Sequence, residues 1–267
     1  MPVATLNGIR LSYAVSGEGP LVVLVMGSGS PGRVWDLHQT PALEAAGYRV
    51  ARVDNRGIAP SDECPEGFTI ADMAADTAAL IEHLGSPAAV VGTSLGARIT
   101  QELALTRPEL VSRAVLFTAH ARLRPAQAAL SAAEAELAET GQRVSPRYSA
   151  AVTAALNLSP RTLADPSTCQ EWLDVLEFSA ATGGPGTAAQ LRLDNGFDRR
   201  SAYRGIRVPT MVVAFADDRV IDPQLCREVA DAIPGCRYEV VADAGHFGLL
   251  ERPEPANALL LEFLSGR

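Results

Sequence analysis

Four short, continuous apolar runs dominate this chain: LVVLVM (21–26), AAVVG (88–92), AVLFTA (114–119) and TMVVAF (210–215). None alternates with polar residues, and each has strand length, which marks strands buried on both faces. Helical patterns separate them. Residues 37–46 read as a helix stopped at Gly47. TIADMAADTAALIEHL (69–84) places Ile70, Met73, Ala74, Thr77, Leu80, Ile81 and Leu84 on one helical face, with Gly85 as its stop. Leu95 to Thr106, about 223–232 and about 254–264 also read as helices, whereas YRVARVD (48–54) and YEVV (238–241) read as short strands. IRLSYAV (9–15) alternates and suits a half-exposed strand. Buried strands alternating with helices require layers of helix on both faces, so the expected fold class is α/β, with a mostly parallel sheet.

The alternation stops near residue 120 and resumes near 205. Between them the pattern is helical, with alanine-rich runs at 125–139 and 168–180. The expected organisation is therefore a core made of 1–119 and 205–267, with a helical cap at 120–204. An insert placed before the last two strands would cover the carboxyl ends of the sheet, where ligands bind in such folds. Its aromatics are Tyr148, Trp172, Phe178, Phe197 and Tyr203, and its Gly183-Gly184-Pro185-Gly186 stretch reads as a flexible connection.

Composition narrows the function classes. A net charge of −8 over 267 residues disfavours nucleic acid and anionic membrane surfaces as partners. Every basic side chain is arginine, which removes lysine-based Schiff-base chemistry. Cys64, Cys169, Cys226 and Cys236 form no C-x-x-C pair and have no zinc-site spacing, so they read as structural thiols. The opening MPVATLNGIRLSYA lacks the profile of a signal peptide, and no apolar run is long enough to span a bilayer. A cytoplasmic location is the expectation.

The chemistry-bearing stretch is VVGTSLGA (90–97), a buried strand leading through Gly92, Ser94 and Gly96 into a helix. A serine on so sharp a turn can be a nucleophile or simply cap the helix. As a nucleophile it needs small neighbours two residues away, a base and an acid. His246, after the last strand, is the best-placed base; His38, His83 and His120 fit less well, although His120 could line a pocket. Asp217, Asp218 and Asp222, in AFADDRVIDP (214–223), compete for the role of acid.

Taken together, GTSLG (92–96), FADDRVIDP (215–223), AGHFGLLERP (244–253) and VDNRGIAPSD (53–62) resemble the α/β-hydrolase superfamily over essentially the whole chain. The resemblance implies a Ser94–Asp218–His246 triad, because the acid usually stands in D-x-x-[IV]-x-P and Asp218 leads to Pro223 in that way. It places the oxyanion donors at the amides of Leu95 and Ser28, the latter in a Met26-Gly27-Ser28 loop where many relatives have His-Gly. That Met-Gly loop is similar to aclacinomycin-methylesterase-like hydrolases. DNRG (54–57) resembles a structural turn beside the site. No cofactor or metal is expected.

The expected activity is hydrolysis of an ester, thioester or lactone of a small, mainly apolar substrate, in keeping with bacterial natural-product metabolism. Other chemistry on the same triad stays open: perhydrolase or haloperoxidase-like activity, C–C bond hydrolysis or acyl-transfer cyclisation. So does a catalytically silent binder of hydrophobic ligands.

Overall fold

The computed structural model describes residues 2–85, 87–140, 144–179, 185–193 and 198–266. Its strands are β1 (Val3–Leu6), β2 (Ile9–Ser16), β3 (Leu21–Val25), β4 (Arg49–Asp54), β5 (Ala88–Thr93), β6 (Val111–Phe117), β7 (Thr210–Phe215) and β8 (Arg237–Val241). They form one sheet in the order β1-β2-β4-β3-β5-β6-β7-β8. The pairs β1–β2 and β2–β4 are antiparallel and every other pair is parallel.

All residues of β3, β5 and β7 are buried, as their unbroken apolar runs require. Their side chains divide between two cores, one on each face of the sheet. Val23, Val25, Val90 and Val212 join α2 (Ile70–Leu84), α3 (Leu95–Thr106) and α10 (Pro223–Ala232). Val22, Leu24, Val91 and Val213 join Trp35, Leu43 of α1 (Gln39–Ala45) and Leu260 of α12 (Pro253–Leu264). This is the period-2 consequence of a strand covered on both sides.

Three elements differ from the sequence expectation. β1 was not foreseen, because four residues with alternating exposed and half-exposed positions carry almost no pattern. The stretch read as a helix at 37–46 holds α1 at 39–45, and a 3₁₀ turn, Gly32–Leu37, that was not foreseen precedes it. β6 begins at Val111, earlier than the run from Ala114, because the exposed Ser112 and half-exposed Arg113 separate the buried Val111 from that run.

Between β6 and β7 lie α4 (Pro125–Thr140), α5 (Pro146–Asn157), α6 (Pro160–Ala164), α7 (Pro166–Ser179), α8 (Pro185–Leu191) and α9 (Arg200–Tyr203). Proline opens five of them, where its missing N–H costs nothing and its fixed φ favours the helix. Ser145 and Ser159 cap α5 and α6 by accepting the amides of Tyr148 and Thr162. The four described aromatics of this insert do not gather around a ligand space. Tyr203 is fully buried in the core, whereas Tyr148 and Phe178 are exposed. Trp172 stacks on Phe247 at 6.1 Å, and Phe197 lies outside the described residues. Of the glycine stretch read as flexible, Gly183 and Gly184 also lie outside them. Gly186 is packed instead: a Cβ there would lie 2.2 Å from the Gly57 carbonyl oxygen. The remaining helix, α11 (Gly248–Glu251), precedes α12.

Candidate active site

The parallel register sets Val25 of β3 against Gly92 of β5, and Thr93 of β5 against Phe117 of β6. Three chain segments therefore leave the sheet side by side at its carboxyl end: Met26-Gly27-Ser28, Thr93-Ser94 and Thr118-Ala119-His120. Ser94 stands at φ 54°, ψ −115°, a conformation that a side chain rarely adopts. Two contacts hold it there. Its N–H is shared between the Phe117 carbonyl and the Thr118 hydroxyl, each 3.0 Å away. Thr118 is itself at φ 50°, with its N–H on the Val213 carbonyl.

Gly92 and Gly96 are required by close approach. A Cβ on Gly92 would lie 2.1 Å from the Gly96 carbonyl oxygen, and one on Gly96 would lie 2.0 Å from that of Val25. The turn thus crosses its own helix and the end of β3 with no room for a methyl group. Leu95 is the first residue of α3, so its N–H has no intrahelical acceptor. Among the described residues neither this N–H nor that of Ser28 has a hydrogen-bond partner.

Asp218 and His246 come together from the loops after β7 and β8. Asp218 Oδ2 lies 2.8 Å from His246 Nδ1, and the Asp218 side chain is almost wholly buried. Its other oxygen accepts the amides of Val220 and Ile221, both at 2.8 Å. These bonds fix the carboxylate without a second charged partner. The competing aspartates do other things. Asp222 caps α10 through the Gln224 amide and pairs with Arg124, whereas Asp217 is tied through its backbone to Ala244.

Sequence reasoning missed two residues that shape this site. Glu251 is buried and takes three hydrogen bonds: from the Ser159 amide and hydroxyl, both at 2.9 Å, and from the Gly245 amide at 2.7 Å. It joins the residue beside His246 to the start of α6. Gln190 of α8 accepts the Gly29 amide and donates to the Arg56 carbonyl, each at 2.8 Å. It ties the insert to the loop after β3. Glu251 stands in the quoted AGHFGLLERP stretch, but nothing local marks Gln190.

The DNRG turn is structural. Arg56 and Asp76 form a buried two-bond ion pair at 2.5 and 2.6 Å, and Asp54 accepts the Gly32 amide at 2.8 Å. Burial raises the thiol pKa of Cys226 and Cys236, the latter to about 12, which leaves both protonated and inert at neutral pH. Among the described residues no group of His, Cys, Asp and Glu could hold a metal ion. No described helix is long and apolar enough to cross a membrane.

Ser94, His246, Ser28 and Leu95 all open onto a cavity of about 330 Å³. The insert supplies Leu130, Leu156 and Leu191 to its wall, together with Gln127 and Glu134. A strained serine, a histidine hydrogen-bonded to a buried carboxylate, and two amides unpaired among the described residues share one cleft, an arrangement chemically capable of acyl transfer.

Comparison with known proteins fits this geometry. A profile described as "Alpha/beta hydrolase family" matches residues 22–259, and the chain belongs to that family. The chain is 45% identical over 258 residues to "Putative non-heme bromoperoxidase BpoC" of Mycobacterium tuberculosis, covering 96% of this chain and 98% of that one. The crystal structure of that bromoperoxidase-named protein superposes with a TM-score of 0.91, at 46% identity and 96% coverage of both chains. "Putative carbamate hydrolase RutD" of Cronobacter sakazakii is 32% identical, over 94% of this chain and 93% of its own. The enol-lactonase from Burkholderia xenovorans has a TM-score of 0.83 and is 28% identical, covering 99% of this chain and all of its own.

Proposed function

We propose that this protein is a serine hydrolase that cleaves an ester, thioester or lactone of a small, mainly apolar substrate through an acyl-enzyme. The observation that carries the reading is the Asp218–His246 pair sharing a cleft with Ser94, whose backbone is held in a strained turn between unpaired amides. In this reading Ser94 Oγ attacks the carbonyl carbon while His246 Nε2 accepts its proton. Asp218 keeps the remaining proton on Nδ1 and stabilises the imidazolium. The alkoxide that forms is held by the Leu95 and Ser28 amides. His246 then protonates the leaving oxygen or sulfur, and the acyl group remains on Ser94. Water enters, loses a proton to His246 and releases the acid.

A second reading replaces that water with hydrogen peroxide, so that the acyl-enzyme yields a peracid. It rests on the printed name of the 45% identical relative. Both readings use the same acyl-enzyme, and Ser94→Ala tests what they share. Turnover of p-nitrophenyl esters is expected to fall by about 10⁴-fold or more. Unchanged turnover would refute both. Following the acyl-enzyme by mass spectrometry in water with and without peroxide separates the two.

A further inference from the structure

His120 is unlike the other histidines outside the proposed triad. His83 is exposed and meets the Tyr13 hydroxyl at 3.0 Å, and His38 is half-buried at a helix boundary. His120 is 6% exposed, three residues past the end of β6, and its ring lines the cavity beside Ser94. The Gln101 side chain donates to its carbonyl oxygen at 3.1 Å, which fixes the backbone beneath the ring. Neither ring nitrogen has a hydrogen-bond partner among the described residues, and Nδ1 is fully enclosed.

Those facts determine its chemistry. Burial first, then the nearby charges of Arg98 and His246, hold the ring well below its ordinary pKa, so it is neutral. A neutral imidazole carries one N–H. On the enclosed Nδ1 that proton would be a buried donor with no acceptor, the costlier kind of orphan. The proton therefore belongs on Nε2, on the part of the ring that the cavity reaches. The cavity wall there then carries an uncharged donor.

We propose that His120 is a substrate-binding residue whose Nε2–H hydrogen-bonds an acceptor oxygen of the substrate, apart from the carbonyl that Ser94 attacks. This rests on the serine-hydrolase reading and narrows it. The preferred substrates are oxygenated esters, thioesters or lactones, with an oxo or ether oxygen a few bonds from the scissile carbonyl, and purely hydrocarbon acyl chains bind less well.

The probes are p-nitrophenyl hexanoate and the 3-, 4- and 5-oxohexanoates, compared by kcat/KM. The wild type is expected to prefer at least one oxo ester to hexanoate. His120→Leu should cut that ratio about tenfold, and His120→Gln, which keeps a donor, should retain most of it. Thermal melts show whether each variant is folded. If His120→Leu does not fold, the wild-type preference and the glutamine variant decide. A wild type with no oxo preference, or one whose preference survives His120→Leu, overturns the proposal. So does a wild type that reacts with a fluorophosphonate at Ser94 yet cleaves none of the four esters. Failure of Ser94 to react sinks the serine-hydrolase reading instead. His120 is then judged by calorimetric binding of the same esters, where equal affinity for oxo and plain chains overturns it.

Discussion

The helix behind Ser94 and the helices of the insert are built in opposite ways. α3 has twelve residues and buries eight of them. α4 has sixteen and buries only Ala135, and α7 buries none of its fourteen. Packing dictates α3, down to the two glycines that let it cross the end of β3. The insert helices α4 to α7 are set mainly by local signals: proline at the first position, serine caps and runs of alanine, the best helix former. A serine can be kept in a strained turn only where its surroundings over-determine it. The wall opposite needs no such rigidity, and its side chains can vary with the substrate while the turn stays the same.

If packing dictates the turn, a single methyl group there should do more harm than larger changes in the insert. Gly96→Ala would put a Cβ against the Val25 carbonyl. The expected result is a loss of about 1–3 kcal/mol or more in urea unfolding, together with loss of esterase turnover. A Gly96→Ala variant of wild-type stability would mean that the crossing is loose and the contrast false.

Gln190 is where the two regions meet, so it sharpens the comparison. Gln190→Ala leaves the Gly29 amide and the Arg56 carbonyl without their partner, at about 1–3 kcal/mol by general experience. Because Gly29 follows Ser28, the turnover number should fall about tenfold as the proposed oxyanion loop loosens, more than KM rises. A change confined to KM would show that Gln190 only shapes the wall.

The smallest effect is expected on the outer side of the insert. Phe178 is 90% exposed on α7. Phe178→Ser should alter stability by no more than about 0.5 kcal/mol and leave ester turnover alone. A large loss of stability would show that α7 is held by more than its local signals.

The elements carried by long periodic runs were legible in the sequence. α3 spans Leu95–Thr106 as its pattern predicts, and α2, α4, α10 and α12 fall within a residue or two of expectation. β1 and the 3₁₀ turn before α1 were not, since they are short and owe their conformation to neighbours. At the site, Asp218 could be ranked above Asp217 and Asp222 only through resemblance. The structure separates the three by what each carboxylate touches.

The α/β architecture and the turn at Ser94 are written in the order of residues along the chain, because periodicity, caps and small residues act between near neighbours. Folding in three dimensions is what sets Gln190 on the loop after β3, 161 residues away from Gly29, and brings Glu251 to Ser159 across 92. It alone turned His120 from one histidine among four into a buried residue at the cavity, whose ring has no hydrogen-bond partner among the described residues. A hydrogen bond made or left unmade across such separations depends on where folding brings two side chains, and no local pattern records that.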